Sequence, residues 1–249
     1  RPLVHRIGGL VSRLVIPKRR GLERVMMNRR FLSALCVALI CLGSLAARPA
    51  LAHPHIFVDV RHSVIFDAEG RVTGLRAQWI YDEMFTLLMV EDGQYDRDGD
   101  GKVAGAELLD FQLWDADWPA DFGGDVQVLL GEELVTLDPP SDWAGDWQDG
   151  RASSSHTRLF AAPLELGGNI LTIRPFDPEF YTDYSVIAPP DLQGGRNCSA
   201  EVYEPDLDAV PPELAEAISE LGAETSPQEA GLPAVGILYA DEVQLRCGG

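Results

Sequence analysis

The chain has 249 residues, 39 of them acidic and 20 basic, for a formal net charge of −19. The bases crowd its front, so residues 53–249 hold 38 acids against 10 bases and carry about −28 by themselves. Such a surface repels nucleic acid and anionic lipid and attracts cations, which sets aside nucleic-acid binding.

Residues 1–26 are basic, mixed in character and without sustained period, and read as an upstream extension. From Met27 the order changes: a basic Asn28-Arg29-Arg30, an apolar run from Phe31 to Leu45, then Ala50-Leu51-Ala52. This is the pattern of a secretory signal over 27–52 with an A-x-A cleavage site, which makes His53 the first residue of an exported, periplasmic domain, 53–249. A membrane anchor is the competing reading, but the run is shorter than the roughly 20 residues of a spanning helix. No later segment approaches one.

The exported part begins "HPHIFVDV". Residues 55–66 alternate, with Ile56, Val58 and Val60 on one face, and Asp67-Ala68-Glu69-Gly70 turns the chain into a second extended run through Val72, Leu75, Ala77 and Trp79. From Asp82 the period becomes helical, with Met84, Phe85, Leu88 and Met89 recurring, and a second helical stretch runs from 105 to 117. Beyond Pro119 short strands return, at 126–130 and 134–137 across Gly131-Glu132, then at 156–160, 170–175, 184–188, 200–203 and 236–246. Residues 138–155 read as a loop rich in Asp, Trp, Gly and Ser. A Pro-rich excursion at 205–233 carries one helix, opened by Pro211-Pro212-Glu213 and ended by Gly222. The fold class expected is α+β, mainly antiparallel and sandwich-like, with a helical pair inserted early.

Between the two helical stretches lies "DRDGDGKVAGAE", residues 96–107. Calcium takes six to eight oxygens, and the twelve-residue EF-hand loop supplies them from fixed positions with a glycine at the sixth. Here these are Asp96, Asp98, Asp100, the Lys102 carbonyl, a water at Ala104 and Glu107, with Gly101 at the turn. The flanking helices place an EF-hand at about 82–117. A single loop in a calcium-rich compartment points to a structural ion rather than a switch.

His53, once cleavage has freed its amino group, offers two nitrogen donors, and imidazole suits nickel, cobalt, zinc and copper. Pro54 has no N–H, which removes the square-planar site that uses successive backbone amides. His53 and His55 are therefore the candidate transition-metal ligands. Alternation puts Asp59 on their side of the strand, as an acceptor able to orient an imidazole. His62 falls on the other side, with Val58 and Val60, and His62 and His156 remain as further ligands if they fold back. Two cysteines, Cys198 and Cys247, stay in the exported part and read as a disulfide. A thiolate metal site is the alternative, without Cys-x-x-Cys spacing behind it.

Taken together, "AHPHIFVDV", "FDAEGRVTGLRAQWIYDEMF", the acidic loop, "IRPFDPEFYTDYSV" and the two late cysteines resemble an exported bacterial family of unknown function, DUF1007. Its members are often labelled a periplasmic component of an uncharacterised ABC-type transport system. The resemblance implies an association with nickel/cobalt-type membrane permeases and supports His53 and His55 as the family's terminal histidines. The function expected is a calcium-binding periplasmic accessory of transition-metal handling with a membrane metal permease as partner. The alternatives are a calcium-stapled structural or interaction protein and a terminal-histidine copper enzyme. No Gly-x-Ser-x-Gly, His-Glu-x-x-His or phosphate loop occurs, and Asp177, Glu179, Tyr181, Asp183 and Tyr184 read as a strand rim, so no catalytic residue is assigned.

Overall fold

The computed structural model describes residues 54–119, 122–195, 197–222 and 225–248. The segments read above as an upstream extension and a secretory signal, and His53, lie outside these residues.

The first hairpin forms as its alternation requires. Strand β1 (Ile56–Phe66) turns through Asp67, whose carboxylate accepts from the Glu69 and Arg71 amides, into β2 (Val72–Tyr81). Val58 pairs with Tyr81, Val60 with Trp79 and Val64 with Leu75, so one face of both strands is apolar and buried. Helix α1 (Glu83–Gly93) follows at once and is joined by a loop to the short α2 (Ala106–Phe111).

The chain then returns to strands: β3 (Val126–Leu130), β4 (Glu133–Leu134), β5 (Ser141–Gln148), β6 (Arg151–Leu164), β7 (Leu171–Pro175), β8 (Thr182–Val186), β9 (Asp191–Gln193), β10 (Cys198–Tyr203) and β11 (Glu242–Cys247). Helix α3 (Pro212–Ser219) interrupts them late. One sheet runs in the order β5, β6, β2, β1, β8, with β9 also paired to β1; the other runs β10, β11, β7, β3, β4. Most ladders are antiparallel, but β8 and β9 lie parallel to β1 on the side away from β2, β8 beside residues 56–60 and β9 beside residues 63–65. Buried side chains of both sheets, among them Val60, Leu75, Trp79, Val128, Ile173, Val243 and Leu245, form one core. The fold is thus mainly β and sandwich-like. No described helix is long and apolar enough to cross a membrane.

Three readings of the sequence are corrected. Residues 138–155 are not a loop: β5 and the start of β6 form a hairpin across Asp149-Gly150, whose φ values of +52° and +82° are those a tight hairpin turn demands. Its tryptophans are half-buried and packed, since Trp147 pairs with the fully buried Ala152, and Trp143 packs on Trp118 and His156. Residues 236–246 are a strand only from Glu242. Gly236–Tyr239 wind into a 3-10 turn against the Asp177 carbonyl, where any Cβ on Gly236 would clash. The second helical stretch stops at Phe111 because the Gln112 carbonyl accepts from the Gly145 amide of β5 (2.7 Å), while the Gln112 side chain donates back to the Gly145 carbonyl (2.9 Å).

The pairing of Cys198 with Cys247 is as expected, a disulfide across 49 residues, and it joins directly opposed positions of β10 and β11.

Candidate metal centre

Asp82 starts the construction. Its side chain caps α1 by accepting from the Phe85 amide (2.9 Å) and reaches β1 by accepting from the Phe57 amide (2.9 Å), so the helix is fixed to the sheet at its first turn. The helix ends at Gln94 in the left-handed conformation, φ +52°, whose amide returns to the Val90 and Glu91 carbonyls. Residues 96–107 then curl round their own carboxylates.

Asp96 accepts from the amides of Gly99 (2.9 Å), Asp100 (3.1 Å) and Gly101 (2.9 Å), and Glu107 accepts from those of Arg97 (2.7 Å) and Ala104 (3.4 Å). Gly101 holds the turn with φ +78°, in the left-handed region that glycine enters without cost. Ligand-capable oxygens of Asp96, Asp98 and Glu107 fall within 4.8 Å of one another. Asp100 is not in this group: one of its oxygens accepts from the Lys102 amide (2.9 Å). Three converging carboxylates fit a hard cation such as calcium and suit no thiophilic one.

The loop is anchored from below. Val103, 2% exposed, joins Val90, Phe111 and Ala152 in a small core of its own. Tyr95, the residue before the loop, meets Phe111 edge-on at 5.0 Å, Phe111 stacks on Trp114 at 5.5 Å, and Trp114 meets Tyr81 at 5.1 Å. Gly145 permits this docking, because a Cβ there would lie 2.2 Å from the Phe111 carbonyl oxygen.

The histidines separate. His55 sits immediately before β1, its amide donating to the Tyr181 carbonyl (2.8 Å) and its ring 4.7 Å from that of Tyr181. It lines a cavity of about 700 Å³ whose opposite wall is α1. Asp59 accepts from Arg151 Nη1 at 2.6 Å, and Arg151 also holds the Ile80 and Tyr81 carbonyls. His62 and His156 do not fold back toward His55. They flank Ala77 in register across three strands and point into the sandwich, 4% and 1% exposed. Burial pushes His62 down to about 4 and, with Arg158, Arg76 and His62 adding to it, His156 to about 3. Both imidazoles are neutral at pH 7.

An interior polar group also forms where pattern reading assigned nothing. Asp115 accepts from the Tyr81 hydroxyl (3.0 Å) and from Ser154, and burial outweighs these bonds to push its carboxyl up to about 6. Asp125 accepts from the Tyr184 hydroxyl (2.8 Å) and is pushed up to about 7 by burial, with the Asp177 charge adding to it. The alternation of β2 places Tyr81 inward, but nothing in the sequence pairs it with a residue 34 positions away. In the 177–184 stretch Asp177 accepts from the Glu179, Tyr181 and Thr182 amides and shapes the turn into β8.

A two-sheet, mainly antiparallel β domain with an acidic loop slung between two short helices after its first hairpin is the class this geometry defines. The chain belongs to the family of proteins of unknown function DUF1007, which it matches over residues 37–247. It is similar to an uncharacterized protein of Haemophilus influenzae, with 21% identity over 213 residues that span 84% of this chain and 97% of that protein.

Proposed function

We propose that the protein is an exported, periplasmic calcium-binding accessory of transition-metal handling. In this reading the helix-loop-helix is an EF-hand, with Asp96, Asp98, Asp100, the Lys102 carbonyl and Glu107 as calcium ligands. His53 and His55 hold a nickel, cobalt, zinc or copper ion on its way to or from a membrane metal permease. The observation that carries the proposal is the convergence of the Asp96, Asp98 and Glu107 oxygens at the first, third and twelfth loop positions. The acidic surface supports it by drawing cations from solution, and the disulfide suits an oxidising compartment.

Calcium's part in this scheme is to hold α1 and α2 in place. The loop rests on Val103, Phe111 and Trp114, which pack between the helices and the sheet, so an ordered loop presents α1 in one position to the cavity that His55 lines. That packing also favours a second reading, in which calcium staples an interaction scaffold and no metal is transferred. Native mass spectrometry with elemental analysis of the exported protein, before and after mild chelation, separates the two. One calcium plus one transition-metal ion is expected. Calcium alone, with no uptake of added nickel, cobalt, zinc or copper, leaves the scaffold, and no calcium uptake at millimolar concentration refutes both.

A further inference from the structure

Residues 53–249 contain two methionines, Met84 and Met89, and both line the cavity that His55 lines. They stand five positions apart on α1, and Asp92 of the same helix lines the cavity with them, with His55 and Tyr181 on the facing wall. Met84 is 66% exposed toward this space and Met89 half-buried. Leucine would serve an apolar wall as well and favours a helix as much. What methionine adds is a thioether lone pair, a soft donor that selects copper(I) and offers little to nickel, cobalt or zinc. The remaining walls, Phe85, Leu88 and Trp114 among them, are apolar, which favours an ion of single charge over a divalent one.

We propose that this cavity is a copper(I) site in which the His55 imidazole and the Met84 and Met89 sulfurs are the donors. Tyr181 lies against the His55 ring and lines the same cavity. The inference rests on His55 as a transition-metal ligand and narrows that reading to one ion and one oxidation state. No redox step is involved, since copper is captured and released as copper(I).

The test is anaerobic competition for copper(I) against a chromophoric chelator, with ascorbate as reductant and calcium in excess, on the wild type, the Met84→Leu/Met89→Leu double variant and His55→Ala. Leucine conserves volume, so the double variant keeps its fold, which its thermal midpoint checks. The wild type is expected to bind one copper(I). The double variant should bind it about 1000-fold more weakly or worse, beyond the roughly 10- to 100-fold that loss of a mere supporting partner causes. Its nickel(II) and zinc(II) affinities should be unchanged, and copper X-ray absorption should lose its sulfur shell. Copper(I) affinity untouched by the methionine pair overturns the proposal. If His55→Ala still weakens nickel or zinc binding in that case, the histidine reading survives alone. If His55→Ala changes no metal, both fall.

Discussion

Replacing Asp125 by asparagine probes the interior electrostatics through a group that does nothing else visible. The carboxyl is pushed up to about 7 from 3.8, by burial first and by the Asp177 charge second, against the opposing Tyr184 hydrogen bond. A group whose folded pKa lies above its unfolded value contributes stability at low pH and loses it as pH rises through the folded value. Between about pH 8 and about pH 5.5 the native state takes up this proton while the unfolded chain stays ionised. At ~1.4 kcal/mol per unit, the native state thereby gains about 2 kcal/mol. Asparagine keeps the size and an acceptor for the Tyr184 hydroxyl, and it tolerates the φ of +44° at this position. Urea unfolding followed by tryptophan fluorescence should show the variant at least as stable as wild type near pH 8 and about 2 kcal/mol worse, relative to that, near pH 5.5. Parallel stability curves across this range would refute the buried, proton-binding carboxylate.

The buried histidines predict the opposite slope: with folded values near 4 and near 3 against an unfolded value near 6.5, stability falls as pH drops below about 6.5. His156→Leu should flatten that acid limb by about 2 kcal/mol at pH ~5 in the same assay, and an unchanged limb would place the proton elsewhere. Asp96→Ala should abolish the rise in thermal midpoint that ~10 mM calcium gives the wild type, worth about 1.5 to 3 kcal/mol if the dissociation constant is ~0.1–1 mM. Phe111→Ala should cost about 3–5 kcal/mol and weaken calcium binding together, because this fully buried ring carries the loop's inner wall. Replacing Cys198 and Cys247 by serine should cost about 4 kcal/mol, the loop-closure entropy of a 49-residue separation, measured by denaturant unfolding without reductant.

The parts legible in the sequence are those whose signal is local. The β1–β2 hairpin follows from alternation and an Asp-Gly-rich turn, α1 from Asp82 and a helical period, and the loop carboxylates from fixed spacing. Misreadings arose where a distant partner decides. The 138–155 segment looks like a polar loop because its hydrophobic content is tryptophan spaced by Asp and Gly. It becomes a strand only through pairing with β6 and through Trp118 and Phe111, which arrive from the preceding helical segment. Asp59 lies on the side of β1 that alternation gives it, yet its partner is Arg151, 92 residues later. The Asp115 and Asp125 sites are tertiary from the outset, since it is chiefly burial, set by distant parts of the chain, that raises those carboxyls.

The order of strands also dictates when this fold can close. In the first sheet β1 lies inside, and the pairing along its outer edge comes from β8 and β9, more than a hundred residues downstream. In the second sheet the last strand of the chain, β11, is internal, wedged between β10 and β7. A chain synthesised only as far as residue 241 therefore holds a second sheet in which β10 and β7 have no strand between them, and a cysteine without its mate. Contacts of such long sequence separation form slowly and late. Loss of Glu242–Cys247 accordingly removes two hydrogen-bonded ladders and the disulfide at a stroke.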